Sequence, residues 1–247
     1  MNPEHLARLN LGVEDWNRWR RENSKIVPDL SEAYLRGVEI DKVHLRKANL
    51  QRVDLRGSSL RGASLGGADL QGAKLWGANF GGADLYGADL RGADLWGADL
   101  LETNLRGADL RWASLQKAYL QEADLESANL QEADLQGAYL QGADFRYAIF
   151  GDTTYGEGVP ISKEPIQIVG LRLFVMIFDE HMMIGRELHS FEEWENFTDK
   201  EIGEMYKKAV TLEERGNFKD EEIDAMNEEA LTFWREHKKM LLAIGKR

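Results

Sequence analysis

The chain has 247 residues, of which 43% are hydrophobic and 30% charged, and its formal net charge is −12. That length suits one large domain or two modest ones, and the complete lack of cysteine excludes a disulfide framework or a Cys-based metal site. The acidic balance, with no basic stripe, argues against direct nucleic-acid binding, and the longest apolar run, near Phe174 to Phe178, is far too short to span a bilayer.

The start, Met1-Asn2-Pro3-Glu4-His5, has no basic stretch leading into an apolar run, so no signal peptide is expected and the chain reads as soluble and cytoplasmic. Leu6, Leu9, Val13 and Trp16 fall on one helical stripe, and Asn10-Leu11-Gly12 predicts a split into two short helices. Residues 1–27 are expected to form a helical cap in which Trp16 and Trp19 pack, and Pro28-Asp29 ends it.

From Leu30 to Phe150 every fifth residue is Leu, Ile or Phe, and two residues before almost every one stands Ala, as in Ala63, Ala68 and Ala73. This period fits neither an α-helix nor a flat strand, so one short unit must be stacked many times. The unit reads Ala-Asp-Leu-x-Gly, as in Ala83-Asp84-Leu85-Tyr86-Gly87 and Ala93-Asp94-Leu95-Trp96-Gly97. Leu and Ala must face inward. Gly suits a corner that needs positive φ, and Asp or Asn can bond nearby backbone at the bend. At the start Val38, Val43, Val53 and Ser58 replace Ala. Between 102 and 132 the corner becomes Glu102, Trp112, Lys117, Glu122, Ser127 and Glu132, with Gly107 the exception, and a change of turn type is expected there. No insertion breaks the period, so no protruding loop is expected.

The tandem A(D/N)LxG units over 30–150 resemble the pentapeptide repeat family. The resemblance implies a mainly β fold, a right-handed quadrilateral β-helix with one repeat per face and four per coil, so that residues twenty apart stack. Residues 3–23 are also similar to the helical leader found before such arrays. The expected division is a helical cap at 1–27, the β-helix at 28–150, a linker at 151–162 and a small α+β domain at 163–247.

Within that last domain 166–169, 173–178 and 182–184 read as short strands, with Asp179-Glu180-His181 turning the second into the third. Ser190 with Glu193 and Thr198 with Glu201 form capping boxes. The second opens a helix expected to reach about Glu214, where Arg215-Gly216-Asn217 breaks it, and a last helix is expected from about Asp220 to Ile244. Gly170, Ile184-Gly185, Glu193-Trp194, Phe197, Met205, Ala209 and Phe233-Trp234 give this tail a resemblance to an uncharacterised module found with pentapeptide proteins, some in phage-related settings. Cys often follows Ile-Gly there; this chain has Arg186, and the resemblance implies no function.

Glu180-His181 and Glu187-Leu188-His189 match no metal-ligand spacing with a mechanism, and they read as surface residues beside a hairpin. No Walker loop, dinucleotide fingerprint or nucleophile elbow is present. The recurring Asp residues follow the period of the fold, so no enzyme, cofactor or metal is expected. The outward columns are more informative. Arg36, Arg56, Trp76, Trp96, Gln116 and Gln136 should align coil by coil, with Arg56 within cation–π reach of the indoles and the Gln residues laddered on one another. Tyr86, Arg106 and Arg146 are placed on the next face round, and Tyr119 and Tyr139 share another column.

Exposed stacked aromatics mark an interface. The candidate interface residues are Arg56, Trp76, Trp96, Tyr86, Trp112, Tyr119 and Tyr139. The expected function is a non-catalytic protein-interaction scaffold, with a rigid β-helix and a C-terminal partner-binding module. A protein partner is expected, nucleic acid and membrane are not, and a homodimer stays open. The alternative is a DNA-mimic inhibitor of a DNA-binding enzyme, either a topoisomerase or a phage or host-defence nuclease. That reading needs a long acidic face, whereas residues 31–150 carry 17 acidic and 13 basic side chains, a net of −4.

Overall fold

A computed structural model describes residues 1–155, 159–161, 166–168, 175–177, 181–184, 187–198, 200–202, 232, 234–239 and 241–242. The chain forms two compact units, Met1–Glu164 and Pro165–Arg247.

The first unit opens with two short helices, α1 (Pro3–Leu9) and α2 (Val13–Glu22), parted at Gly12, whose φ of 113° only glycine adopts readily. Asn2 caps α1 by accepting from the Glu4 and His5 amides. Leu9 and Trp16 are buried, as the stripe predicts. Trp16 Nε1 donates to the His44 carbonyl at 2.9 Å, and Asn17 exchanges bonds with Lys42 and His44 at 3.0 and 2.8 Å. The helices thereby satisfy backbone groups that a solenoid end leaves open.

From Asp29 onward each coil pairs in parallel with the next at a spacing of twenty residues, as in Asp29↔Asn49, Asp69↔Asp89 and Asn129↔Ile149. Five residues per side and twenty per coil give four faces. One repeat shows why the sequence has this form. In 93–97, Ala93 N donates to the Leu90 carbonyl at 3.0 Å, closing the corner. Asp94 N donates to Ala73 O at 2.9 Å, Leu95 N to Ser114 O at 2.7 Å and Gly97 N to Gln116 O at 2.8 Å. Trp96 N–H is the one left over, and the Asp94 carboxylate accepts it at 3.3 Å. Every N–H of the repeat is used, and Asp holds its place because it supplies the missing acceptor. The same bond recurs at Asp54, Asp84, Asn104, Asp124 and Asp144.

Inside, the Leu and Ala positions form one continuous buried column. Where a hydroxyl replaces Ala it bonds a carbonyl: Ser58 to Leu55, Thr103 to Phe80 at 3.0 Å and Thr153 to Leu130 at 2.7 Å.

The expected change of turn type after residue 102 does not occur. Glu102, Trp112, Lys117, Glu122, Ser127 and Glu132 hold φ between 54° and 59°, matching 59° at Gly97. The stacking bonds leave the corner a single conformation, so non-glycine residues are forced into the left-handed region at a cost of roughly 1–2 kcal/mol each. The segment 151–162 is likewise structured where it is described. A strand β1 (Asp134–Leu135) pairs in parallel with β2 (Thr153–Tyr155), which pairs antiparallel with β3 (Val159–Ile161).

The second unit holds an antiparallel sheet in sequential order, β4 (Ile166–Ile168), β5 (Val175–Ile177), β6 (His181–Ile184) and β7 (Glu187–Ser190). His181 belongs to β6 rather than to a turn, because it pairs with Ser190; 179 and 180 lie outside the described residues. The capping box of Ser190 and Glu193 opens α3 (Phe191–Asn196), and Thr198 bonds reciprocally with Glu201. Trp194 is buried, donates Nε1 to the Met182 carbonyl at 2.6 Å and packs on Trp234 at 5.1 Å. Residues 234–239 and 241–242 are helical. The rest of the expected last helix, the helix end near Glu214, its break, and Gly170, Gly185, Arg186, Met205, Ala209 and Phe233 lie outside the described residues.

Candidate functional site

Each face shows two outward side chains, one on either side of the buried Leu, so the corner column 77, 97, 117 and 137 is flanked by two columns. On one side stand Trp76, Trp96, Gln116 and Gln136; on the other stand Asn79, Asp99, Tyr119 and Tyr139. Trp76, Trp96, Tyr119 and Tyr139 therefore occupy four successive coils along a single edge.

The aromatic groups touch within each column. Trp76 and Trp96 have centroids 5.7 Å apart at 46°, and Tyr119 and Tyr139 stack at 4.9 Å and 8°. Lys117, on the corner between the two columns, places Nζ 5.3 Å from the Trp96 ring centre. Leu101, on the face of the Tyr pair, is 42% exposed, Trp76 43% and Tyr119 45%. Tyr119 stands in the slot where Asp or Asn caps the turn, and a phenol cannot reach back to make that bond. The edge thus gives up a fold-stabilising residue for an exposed ring.

Arg56 departs from expectation. Its guanidinium does not lie over an indole but is forked on Asp54, with Nε to Oδ1 at 2.8 Å and Nη2 to Oδ2 at 2.6 Å. A bidentate carboxylate two residues away on the same face outcompetes an exposed ring. That bond holds the Asp54 carboxyl below its ordinary range and raises Arg56. Arg56 still lines a depression of about 160 Å³ with Arg36 and Trp76. Gln116 likewise does not ladder with Gln136 but donates to Asp134 at 2.5 Å.

Tyr86 is ten residues from Trp76 and Trp96, two faces round, and so lies on the opposite face, not the neighbouring one. Below it Arg106 and Arg146 interleave with Glu126 and Asp144, at 2.8 Å for Arg106–Glu126 and 2.5 Å for Arg146–Asp144. Asp124, Glu126 and Asp144 bring their carboxylates together, but each is already in an ion pair with one or both of these guanidiniums. Trp112 sits at a different corner with φ 59°, exposed, 5.3 Å from the Arg111 guanidinium. Lys117 and Leu101 escaped the sequence reading, although the twenty-residue register places both beside the aromatic columns.

The acidic row Asp69, Asp89 and Asp109 does stack. Arg91 and Arg111 fork Asp89 and Asp109 at 2.7 and 2.6 Å, and Gln51 donates to Asp69 at 2.5 Å. The Arg111 bond holds the Asp109 carboxyl below its ordinary range. No helix among the described residues is long and apolar enough to cross a membrane.

A coil of five-residue repeats with an aromatic edge is a repeat-protein architecture, and the family model for pentapeptide repeats matches it at residues 29–67, 63–100, 83–121 and 118–154. The chain belongs to the pentapeptide repeat family, whose fold is a right-handed β-helix. No curated protein matches it. Among solved structures it is similar to HetL, a pentapeptide repeat protein involved in heterocyst differentiation regulation from the cyanobacterium Nostoc sp. strain PCC 7120. That match has 36% identity over 53% of this chain and 65% of HetL, with a TM-score of 0.34. A pentapeptide repeat protein from the Arabidopsis thaliana thylakoid lumen shares 27% identity over 53% of this chain and 84% of its own, with a TM-score of 0.36. QnrB1, a plasmid-mediated fluoroquinolone resistance protein, shares 22% identity over 50% and 78%, with a TM-score of 0.31.

Proposed function

We propose that this chain is a non-catalytic protein-binding module whose β-helix offers the aromatic edge to a protein partner. The observation that carries this reading is the run of Trp76, Trp96, Tyr119 and Tyr139 through four coils of one edge, two of them in a slot the fold would fill with Asp or Asn. Large, rigid, half-exposed rings are the side chains that dominate interface energetics, and a coil fixed by continuous stacking bonds loses little entropy on docking. In this reading the chain acts in the cytoplasm, residues 1–27 close the coil, 28–150 form the display surface, 151–162 lead out of it, and the 163–247 domain holds or positions the partner. The acidic-row alternative is weakened by Arg91 and Arg111, which cancel two of the three charges such a row would present.

The test is capture from a lysate of the source cells at low and high salt. The baits are the full chain, Trp76→Ala/Trp96→Ala, and Asp69→Asn/Asp89→Asn/Asp109→Asn, in which Asn keeps the turn acceptor. The reading expects a partner that survives high salt, persists with the Asn bait and disappears with the Ala bait. Loss at high salt and with the Asn bait would instead favour the DNA mimic.

A further inference from the structure

Against the net charge of −12, one place on the first unit is strongly basic. Arg20, Arg21, Lys25, Arg46 and Lys47 line one depression of about 670 Å³, where the end of α2 and the turn segment after it meet the first coils. The volume falls within the range of about 300–1,000 Å³ usual for small-molecule sites. Arg20 and Arg21 sit in the last turn of α2, where the helix dipole favours cations. Lys25, Arg46 and Lys47 have no such reason to be there.

The charges are poorly compensated. Arg46 reaches Asp84 only at 3.7 Å, and Arg21, Lys25 and Lys47 have no ion pair among the described residues. Arg20 spends Nη1 and Nη2 on the carbonyls of Ile26 and Arg46 at 2.7 and 3.2 Å, while its Nε is shielded from solvent with no partner. Burial lowers the Arg20 pKa. Burial first, then the charges of Arg21 and Arg20, lower that of His44 on the wall. The Arg21 and Arg20 contributions at His44 reflect the positive charge gathered on this wall. Ile26 and Val27, exposed, add an apolar flank to the same depression.

We propose that this depression is an anion site that takes a phosphate group carried on a small organic body. Arg21, Lys25, Arg46 and Lys47 meet the phosphate oxygens, Arg20 braces the wall through its carbonyl bonds, and Ile26 and Val27 meet the body. The body is either a soluble metabolite or a lipid headgroup.

The test is calorimetric titration of the full chain with inorganic pyrophosphate at fixed ionic strength. A saturable one-site isotherm is expected. Arg21→Gln/Lys25→Gln, at exposed positions, should weaken it by about tenfold or more, and Lys47→Gln alone should weaken it in the same direction. Lys74→Gln, an exposed cation that does not line the depression, should leave it unchanged. Flotation with phosphatidylcholine vesicles containing phosphatidylinositol phosphate separates the two sources. Recruitment that pyrophosphate competes away assigns the headgroup, and no recruitment beside pyrophosphate binding assigns a soluble ligand. No saturable pyrophosphate binding, or an equal loss in Lys74→Gln, overturns the site.

Discussion

Lys117 reaches from the corner of the β-helix to Trp96, its Nζ 5.3 Å from the ring centre, while its own backbone is held at φ 56°. The neighbours above and below it in that column, Gly97 and Gly137, meet the same left-handed corner without a side chain. Lys117 therefore costs the fold something and contributes a cation to the aromatic edge, where an exposed cation–π contact is worth roughly 0.5–1 kcal/mol.

Lys117→Gly separates the two roles. Relief of the left-handed strain, roughly 1–2 kcal/mol, outweighs the added freedom of the unfolded chain, roughly 0.4–1 kcal/mol, and the lost contact offsets part of the gain. The variant should melt at or slightly above the parent temperature by circular dichroism, yet bind the captured partner more weakly. A lower melting temperature would show that Lys117 serves the fold.

Gly97→Ala tests the corner from the other side. A Cβ there meets nothing within 4 Å, so the whole effect is backbone strain at φ 59°. A loss of about 1–2 kcal/mol in urea unfolding is expected. No loss would mean the corner relaxes into another turn.

The Leu column sets the fold. Leu90 is fully buried, so Leu90→Ala should cost about 2–5 kcal/mol. Leu90→Asp should leave little folded protein, because a buried carboxylate there has no partner. Soluble, native-like Leu90→Asp by circular dichroism would contradict a dry core.

The five-residue repeat made this core readable, because position in the repeat alone decides which side chains face inward. The Asx acceptor at Asp94 was readable for the same reason. What escaped was governed by competition between contacts. Arg56 had two favourable partners, and sequence spacing could not weigh a fork on Asp54 against a neighbouring indole. The place of Tyr86 follows from the register alone, since ten residues span two sides of the coil and set it opposite Trp76 and Trp96. At the corners, Glu102 suggested a new turn because its intrinsic preference is against positive φ, and the bond from its amide to Gln121 overrode that preference.

The Asp109–Arg111 fork predicts a pH dependence. The bond lowers the Asp109 carboxyl from its usual value of 3.8. A carboxyl lowered on folding binds its proton more readily when unfolded, so its stabilisation is present above that usual value and is lost as pH falls through the folded one. Arg111→Gln should therefore lower the urea midpoint near neutrality, and the difference from the parent should vanish in acid below 3.8. A gap that persists unchanged into acid would place the effect elsewhere.

The central claim is that partners meet the edge of Trp96 and Tyr119 and not the opposite face. Site-specific photo-crosslinking in cells tests this most directly, with a benzophenone amino acid placed at Tyr119 in one variant and at Tyr86 in the other. Both side chains are exposed, so either probe can report contact. The account predicts a protein adduct from position 119 that Trp76→Ala/Trp96→Ala removes, and none from position 86. An adduct from 86 with none from 119 would contradict it.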